Sequence, residues 1–274
     1  MRKKMKVRVS VVLHRTPEPL LASLMESVLR SDKVEKIIMV DNSPDRRLEA
    51  FAATFPLTEY HYVENRGYGA GHNVALRESL KSDADYHLVV NPDVRWKGDV
   101  ISEMGEFMDS HPEAGLSMPL TFYPDGKLQH SCRLIPTPLD LILRRFLPPF
   151  LMKGQRRRFI LAAWPHDTVE NIPYLLGSFM FFRLETLRRT GLFDERFFMY
   201  PEDIDMSRRV HAVSSTLFNP HTSIVHDHAA ASRYSLRMLR IHIVNMIKYF
   251  NKWGWCFDRE RREVNAATLR KLGL

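Results

Sequence analysis

Four short apolar runs, each closed by polar residues, constrain the fold of this chain more than any other feature of its sequence. They cover residues 7–13, 36–40, 60–63 and 86–90. Such runs are typical of buried strands. Apolar residues at helical spacing predict helices over residues 19–30, 73–81 and 99–110. Strands that alternate with helices in this way predict an α/β fold with a doubly wound, mostly parallel sheet.

Polar side chains follow each of the four predicted strands. They are His14 and Arg15, Asp41 and Asn42, Glu64 and Asn65, and Asn91 with Pro92 and Asp93. Ligands of open α/β sheets bind at the carboxyl ends of the strands. The pattern therefore predicts one binding site that is built from four strand ends.

The Asn91-Pro92-Asp93 segment has two interpretations. A carboxylate at the end of a strand can bind a divalent cation that bridges two phosphates, because Mg²⁺ and Mn²⁺ prefer oxygen ligands. The alternative is a simple turn, in which Asn, Pro and Asp are all favoured.

A glycine cluster at residues 67, 69 and 71 precedes the predicted helix at 73–81. Glycine lets the backbone approach a ligand closely, and the N-terminus of a helix favours phosphate. The spacing matches neither the dinucleotide-binding fingerprint nor the P-loop. A plain loop is the alternative.

The second half of the chain carries an acidic cluster and a histidine cluster. Glu202, Asp203 and Asp205 stand at a predicted helix start, where they could complement the helix dipole or supply a general base. Positions i and i+2 do not share a helix face, so Asp203 and Asp205 should point in different directions. We therefore expect Asp205 to orient Arg208 or Arg209 and not to act as the base. The residues from His226 to His228 follow a predicted strand and could complete the coordination of a cation.

Together these motifs resemble those of the family 2 glycosyltransferases, especially the bacterial rhamnosyltransferase-like branch. The resemblance covers about residues 7 to 235 and keeps the order of the motifs in that family. The matching segments are 9–14, 40–43, 65–73, 90–93, 176–180, 191–200, 202–205 and 225–226.

The resemblance implies a GT-A fold, an inverting reaction and a divalent cation, Mg²⁺ or Mn²⁺. It implies Asp203 as the base, with Glu202 as the runner-up. Asp93 matches the second aspartate of the metal-binding D-x-D motif, whose first position is Asn91 here. His226 matches a histidine that can ligate the metal, although His228 would share its strand face.

Further site residues follow from the same resemblance. The residues expected to bind the nucleotide-sugar donor are His14, Arg15, Thr16, Asp41, Asn42, Asn65, Gly67, Gly71, Asn73, Asn91 and Asp93. Those expected on the acceptor side are Gly177, Ser178 and Tyr200.

The resemblance also implies a domain organisation and two classes of substrate. Residues 1–235 would form the GT-A domain, with a nucleotide-binding half at 1–112 and an acceptor-side half at 113–235. Residues 236–274 would form a basic helical extension. dTDP-L-rhamnose is the favoured donor, with UDP-hexoses and UDP-galactofuranose as alternatives. The expected acceptor is a cell-surface glycan, often linked to a polyprenyl diphosphate.

The chain is basic, with a net charge of +8 that is concentrated in its second half. Nucleic acid, an anionic membrane or a phosphorylated substrate could each account for this charge. A nucleic-acid-binding protein would leave Asp93 and the acidic cluster unexplained, and the sequence carries no helix-turn-helix, zinc or RNA-binding signature. We therefore expect no nucleic-acid partner. A nucleotidyltransferase should carry a glycine-rich loop with a lysine after the first strand, which is absent.

The apolar and basic segment at 143–153 suits an anionic membrane surface, although it could instead be an acceptor-side loop packed on the domain. No run approaches the roughly 18 apolar residues of a spanning helix. We therefore expect a cytoplasmic protein at the inner face of the plasma membrane. Cys132 and Cys256, the only cysteines, fit a reducing compartment.

Overall fold

The structure, a computed structural model, describes residues 4–142, 147–148, 150–227 and 236–274, with the side chains of residues 236 and 237 excepted. The strands are β1 Val7–Leu13, β2 Val34–Asp41, β3 Thr58–Tyr62, β4 Tyr86–Val90, β5 Val94–Arg95, β6 Ala114–Phe122, β7 Cys132–Arg133, β8 Glu170–Asn171, β9 Tyr174–Leu175, β10 Phe179–Arg183 and β11 Ser215–His226. The helices are α1 Glu18–Val28, α2 Glu49–Ala52, α3 Tyr68–Ser79, α4 Val100–Ser110, α5 Pro138–Leu141, α6 Lys153–Phe159, α7 Leu184–Thr190, α8 Glu202–His211, α9 Leu236–Trp253 and α10 Arg259–Lys271.

One sheet carries both predicted halves of the domain. Its strand order is β3-β2-β1-β4-β10-β6-β11-β5, and β8 pairs with β11. Strands β3, β2, β1 and β4 are parallel, as are β6 and β11, while β10 runs antiparallel between β4 and β6. The predicted α/β class with a mostly parallel sheet is therefore confirmed.

Helices on both faces of the sheet explain why β1 is mostly apolar, with Arg8 and Ser10 as its polar residues. All seven of its residues are buried. Val9 and Val11 belong to the main core with Leu24 of α1, while Val12 packs in a separate cluster with Ala75 of α3. A strand that is buried on both faces needs apolar residues at successive positions, and this places the following polar residues at the sheet edge.

Helix α3 begins at Tyr68, so the predicted start at residue 73 is wrong. Gly67 holds a φ of +108°, and a Cβ there would lie 2.2 Å from the Phe198 carbonyl oxygen. Gly71 lies inside the helix, where a Cβ would be 2.8 Å from the side chain of Val12. Gly67 and Gly71 are therefore needed for close packing. The interpretation of the cluster as a plain loop does not predict this.

The apolar stretch from residue 174 to residue 183 is not one continuous strand. It consists of β9 and β10, which a turn at 176–178 separates. A Cβ on Gly177 would lie 2.9 Å from the Cβ of Asp203, so this turn brings the backbone directly against α8. The turn between β9 and β10 therefore lets the backbone of Gly177 contact Asp203 of the acidic cluster.

Residues 236–274, predicted as a helical extension, contain the helices α9 and α10, which contact α8. Arg208 donates one hydrogen bond of 2.7 Å to each carboxylate oxygen of Asp258 and lies 4.1 Å from the centre of the Trp253 ring. Arg208 and Asp258 are both buried. The predicted boundary at 235 lies outside the described residues. Within the described parts of the chain, no helix has the length and apolar character needed to cross a membrane.

Candidate active site

The loops after β1 and β2 form one wall of the candidate site. His14 and Arg15 are exposed there. The Nδ1 atom of His14 lies 3.0 Å from the Asn42 carbonyl oxygen, and the backbone N–H of Arg15 donates to Ser43 Oγ at 2.8 Å. Thr16 and Asn42 are buried beside them. These contacts fix the two loops against each other and leave the His14 and Arg15 side chains open to a ligand.

Asp41 lies beneath this wall and is fully buried. It accepts hydrogen bonds from the Ser43 backbone N–H at 2.8 Å and from the Tyr60 hydroxyl at 2.7 Å. Burial, together with the bond to Asp41, raises the pKa of Tyr60 well above its usual range, so this hydroxyl stays protonated and donates. Asp41 thus shapes the loop between β2 and α2, and each of its oxygens retains a second lone pair.

The glycine-rich segment contributes some residues to the site and others to the packing of the fold. The side chain of Asn65 is exposed, and its Nδ2 atom lies 3.4 Å from His14 Nδ1. Asn73, predicted to contact the donor, is instead buried and bonded to the Phe193 backbone, with its Nδ2 atom 2.9 Å from the carbonyl oxygen and its Oδ1 atom 3.0 Å from the N–H. These contacts give Asn73 a structural role, as the packing on Val12 does for Gly71.

Asp93 and His226 meet where β5 pairs with the end of β11. His226 Nε2 lies 3.3 Å from Asp93 Oδ1, and the Asp227 backbone N–H donates to the Asp93 carbonyl oxygen at 2.9 Å. His226 is buried, whereas the side chain of Asp93 is 22% exposed. The structure therefore brings together two of the three predicted metal ligands. His228, the third, lies outside the described residues.

The chemistry of this pair fits a divalent cation. Two ligand atoms that bind one octahedral ion at about 2.1 Å and at right angles are about 3 Å apart. The Nδ1 atom of His226 lies 2.8 Å from Gln129 Oε1, so this nitrogen donates there, and Nε2 faces Asp93 Oδ1 at 3.3 Å, close to that separation.

The carboxyl group of Asp203, at the start of α8, lies among hydrogen-bond donors. Its Oδ2 atom accepts from the Gly177 backbone N–H at 2.9 Å and from the Tyr174 hydroxyl at 3.0 Å, and Oδ1 accepts from the Ile204 N–H at 2.8 Å. Burial raises the pKa of this carboxyl group to about 6, while the donors and the charge of Arg133 limit the rise. Asp203 is therefore ionised at neutral pH and retains a lone pair on Oδ1.

Glu202 stands in a different electrostatic environment. It is buried, and its Oε2 atom has no hydrogen-bond partner among the described residues. Burial, followed by repulsion from Asp203, raises its pKa well above the usual range, so Glu202 is the member of the pair that holds a proton. Two neighbouring carboxyl groups whose pKa values are pushed apart take different roles.

Asp205 has a structural role, because it bonds to a neighbouring arginine as the helix geometry predicts. Its Oδ2 atom accepts from Arg209 Nε at 2.8 Å, and Oδ1 accepts from Trp253 Nε1 at 2.8 Å. The expected partner Arg209 is thereby confirmed, whereas Arg208 turns to Asp258 instead. Asp205 fastens α8 to α9.

Tyr68 connects the two sides of the site and was missed as a site residue at the sequence level. Its hydroxyl lies 2.8 Å from Asn91 Oδ1 and 2.7 Å from the Gly177 carbonyl oxygen. Burial, with the nearby carboxylates of Glu202, Asp203 and Asp93, raises its pKa far above the usual range. The only signal in the sequence was its place directly after Gly67, because the contact with Gly177 depends on the fold.

Ser178 and Tyr200, predicted on the acceptor side, flank the acidic cluster. The Ser178 hydroxyl is buried, and its backbone carbonyl accepts from the Asn91 N–H at 3.0 Å. Tyr200 adopts a φ of +90°, a conformation that side chains rarely take and that costs of order 1–3 kcal/mol. Its ring packs edge-on against His242 of α9 at 5.0 Å. Backbone strain two residues before Glu202 points to a functional segment.

A second group of ligating side chains lies away from this site. Glu59, His61 and Glu78 place their ligand atoms within 4.8 Å of one another. The ammonium group of Lys36 pairs with both glutamates. A cation is therefore already supplied by the chain, and this group is an ion-pair network on β2, β3 and α3.

A GT-A sheet whose strand ends hold an Asp–His pair and a buried carboxylate defines a glycosyltransferase. The chain belongs to glycosyl transferase family 2, whose family model matches residues 9–166. It is 26% identical to the N-acetylglucosaminyl-diphospho-decaprenol L-rhamnosyltransferase of Mycobacterium tuberculosis over 80% of this chain and 75% of that protein. It is 26% identical to rhamnosyltransferase WbbL of Escherichia coli over 87% of this chain and 90% of that protein.

A solved structure agrees on the fold. The mannosyltransferase PcManGT of Pyrobaculum calidifontis, in complex with GDP-Man and Mn²⁺, matches 99% of this chain and 76% of its own with a TM-score of 0.56 and 16% identity. The family model and the two rhamnosyltransferases confirm the resemblance to family 2 and to its rhamnosyltransferase-like branch.

The hypothesis that Asp203 is the base predicts that the turnover number at saturating substrate rises with pH through about 6. Asp203 can accept a proton only when it is ionised, and its pKa is raised to about 6. Tyr174→Phe removes a donor to the carboxylate and should move the rise to higher pH. Steady-state rates from pH 5 to 8 in both proteins check this. A flat profile across that range would contradict the assignment of the base.

Proposed function

We propose that the chain transfers L-rhamnose from dTDP-L-rhamnose, with inversion, to a hydroxyl of a glycan linked to a polyprenyl diphosphate. The observation that supports the reaction type is the chain of hydrogen bonds that links Asn91 through Tyr68 and Gly177 to Asp203, because it connects a buried carboxylate to the segment that carries Asp93. The two rhamnosyltransferases at 26% identity support the sugar. The lipid-linked acceptor follows the name of the mycobacterial relative.

Inversion requires the acceptor oxygen to attack the anomeric carbon from the side opposite the diphosphate. The new carbon–oxygen bond forms while the bond to the phosphate oxygen breaks, and the hydroxyl proton passes to Asp203. Oδ1 is the better placed oxygen, because it accepts one hydrogen bond where Oδ2 accepts two. The donors on Oδ2 hold the carboxylate in one orientation during the transfer.

Asp93 and His226 are the residues that we propose to hold a divalent cation, Mn²⁺ or Mg²⁺. Bound there, the cation offsets the charge that develops on the departing diphosphate. Gln129 orients the His226 ring for this purpose. His14, Arg15 and Asn65, whose side chains are exposed on the opposite wall, are proposed to contact the nucleoside.

We further propose that the basic second half holds the protein against an anionic membrane. Basic residues cluster at 153–158 and 259–271, and a lipid-linked acceptor resides at such a surface. Leu147, Phe150 and Leu151, from the segment with predicted membrane affinity, are exposed.

A panel of nucleotide sugars tests the donor. With Mn²⁺ present, dTDP-L-rhamnose should raise the unfolding temperature most, because a ligand that binds only the folded state stabilises it. It should also be hydrolysed fastest when no acceptor is present. UDP-glucose, UDP-galactose, UDP-galactofuranose and GDP-mannose are the comparisons. A preference for a UDP sugar in both measurements would replace rhamnose as the donor.

A further inference from the structure

One face of α9 exposes apolar side chains that the fold leaves uncovered. Val244 and Ile247 are 41% and 39% exposed, and Lys248 is exposed beside them. Residues three and four positions apart lie on the same side of a helix, so these three side chains form one patch. Arg240 is exposed one turn earlier and extends the patch.

The patch continues past the end of the helix into two aromatic residues. Trp255 donates from Nε1 to Asn251 Oδ1 at 2.8 Å, which keeps it beside the last turns of α9. It is 39% exposed, and Phe257, two residues later, is 93% exposed. We refer to Arg240, Val244, Ile247, Lys248, Trp255 and Phe257 as the α9 surface.

The acidic or basic residues of the segment that contains α9 and the two aromatic residues are all basic. From residue 236 to residue 257 the sequence contains no aspartate or glutamate, although 32 such residues occur in the chain. An open cleft of about 360 Å³ adjoins the surface and is lined by Arg196, Lys248, Asn251 and Lys252. Asp194 pairs with two of these cations, Arg196 and Lys252, whereas Lys248 Nζ donates to the Arg196 carbonyl oxygen and keeps its charge available.

We propose that the α9 surface docks on a bilayer that contains anionic phospholipid. An amphipathic helix with cationic and apolar residues on its exposed face lies in the plane of a membrane interface, and Trp is enriched at that depth. The lipid phosphates would be attracted to Arg240 and Lys248, while Val244, Ile247, Trp255 and Phe257 would leave water for the acyl boundary.

The opposite face of α9 explains why docking here serves the reaction. Asn245 Nδ2 donates to the Met199 carbonyl oxygen at 3.0 Å, and His242 packs against Tyr200. Met199 and Tyr200 are separated from Glu202 and Asp203 by Pro201 alone. The helix that meets the bilayer therefore also supports the acceptor-side segment. This inference rests on the proposed membrane-linked acceptor and specifies the surface that meets the lipid.

Vesicle co-sedimentation tests the assignment with the full chain and no substrate. The vesicles are phosphatidylcholine alone or mixed with phosphatidylglycerol. Val244→Asp/Ile247→Asp should lower partition onto the mixed vesicles by about tenfold or more, since the variant loses apolar contact and adds negative charge. Lys248→Glu should lower it by about tenfold, and the wild-type affinity should fall as salt rises.

Two matched variants control for charge and exposure. Val213→Asp alters a side chain with the same 41% exposure in the turn between α8 and β11, and Lys81→Glu reverses an exposed lysine after α3. Both should bind vesicles as the wild type does. Equal losses in the controls and the α9 variants would overturn the surface assignment, as would unchanged binding in the α9 variants. A wild-type protein that ignores anionic vesicles would refute the membrane proposal itself, while donor hydrolysis tests the proposed activity separately.

A second copy of the chain could cover the α9 surface instead. Analytical ultracentrifugation of the wild type and of Val244→Asp/Ile247→Asp distinguishes this outcome. A dimer that becomes a monomer in the variant, with lipid binding unchanged, would assign the surface to self-association and overturn the proposal.

Discussion

Asp93→Ala is expected to lower the rate of sugar transfer by about a thousandfold or more and to leave the fold intact. The substitution removes one of the two ligand atoms that we propose for the cation, whose contribution to stabilising transition-state charge is several kcal/mol, and each 1.36 kcal/mol corresponds to about tenfold in rate. The side chain of Asp93 is partly exposed, so its loss costs the folded state little. Transfer assays across a range of Mn²⁺ concentrations measure the effect.

A double-mutant cycle with His226→Ala separates a shared ligand from two independent roles. If both residues hold the same ion, the combined loss should be much smaller than the product of the single losses. Electron paramagnetic resonance of Mn²⁺ should report weaker binding in each variant, independently of turnover. Asp83→Ala, which removes an exposed carboxylate paired with Lys6, is the matched control and should keep both activity and Mn²⁺ binding. Full activity of Asp93→Ala at limiting Mn²⁺ would contradict the ligand role.

The parallel part of the sheet was predictable because its determinants are local. Strands β1 and β4 have the bounds that their apolar runs predict, since helices cover both faces and burial ends where the polar residues begin. The same rule placed His14, Asp41 and Asp93 at one edge of the sheet. Where a glycine packs inside a helix, as Gly71 does against Val12, the local rule failed, because close packing depends on a partner distant in sequence.

Contacts between distant segments could not be read from the sequence. Nothing in the spacing of residues predicts that Tyr68 reaches Gly177, or that Tyr174 donates to Asp203. The buried pair of Arg208 and Asp258 also joins two segments that are far apart in the sequence. Because charged residues are mostly exposed, the sequence alone would place both on the surface. In each case a side chain that looks ordinary in its own segment gains its role from the turn or helix that the fold brings beside it.

The choice between Asp203 and Glu202 decides the mechanism, and the structure supplies an argument that the sequence lacked. Both carboxyl groups are buried, so both resist ionisation. Asp203 receives three hydrogen bonds that favour its charged form, whereas Glu202 Oε2 has no partner among the described residues. The shared cost of two adjacent charges is therefore avoided by ionising Asp203 and protonating Glu202. A base must be ionised before it can accept a proton, which selects Asp203.

Asp203→Asn and Glu202→Gln should consequently differ in their effects. Asparagine cannot take the acceptor proton, so the turnover number should fall by about 10²-fold or more, the usual scale for a lost general base. Glutamine resembles the protonated glutamic acid that we assign to position 202, so the fall there should be much smaller. Steady-state transfer rates of the two variants, measured at the same saturating donor and acceptor concentrations, make the comparison.

Donor binding and stability provide the controls for this pair. The hydrogen bonds of Asp203 run to Gly177, Tyr174 and Ile204, away from the loops after β1 and β2, so the rise in unfolding temperature on adding dTDP and Mn²⁺ should persist in Asp203→Asn. Asparagine can satisfy the donors on only one side of the group, and thermal unfolding without ligand therefore checks that the variant folds. The pH dependence near 6 should also disappear in Asp203→Asn, since the titrating group is gone. Near-normal turnover in Asp203→Asn together with an inactive Glu202→Gln would transfer the role of the base to Glu202.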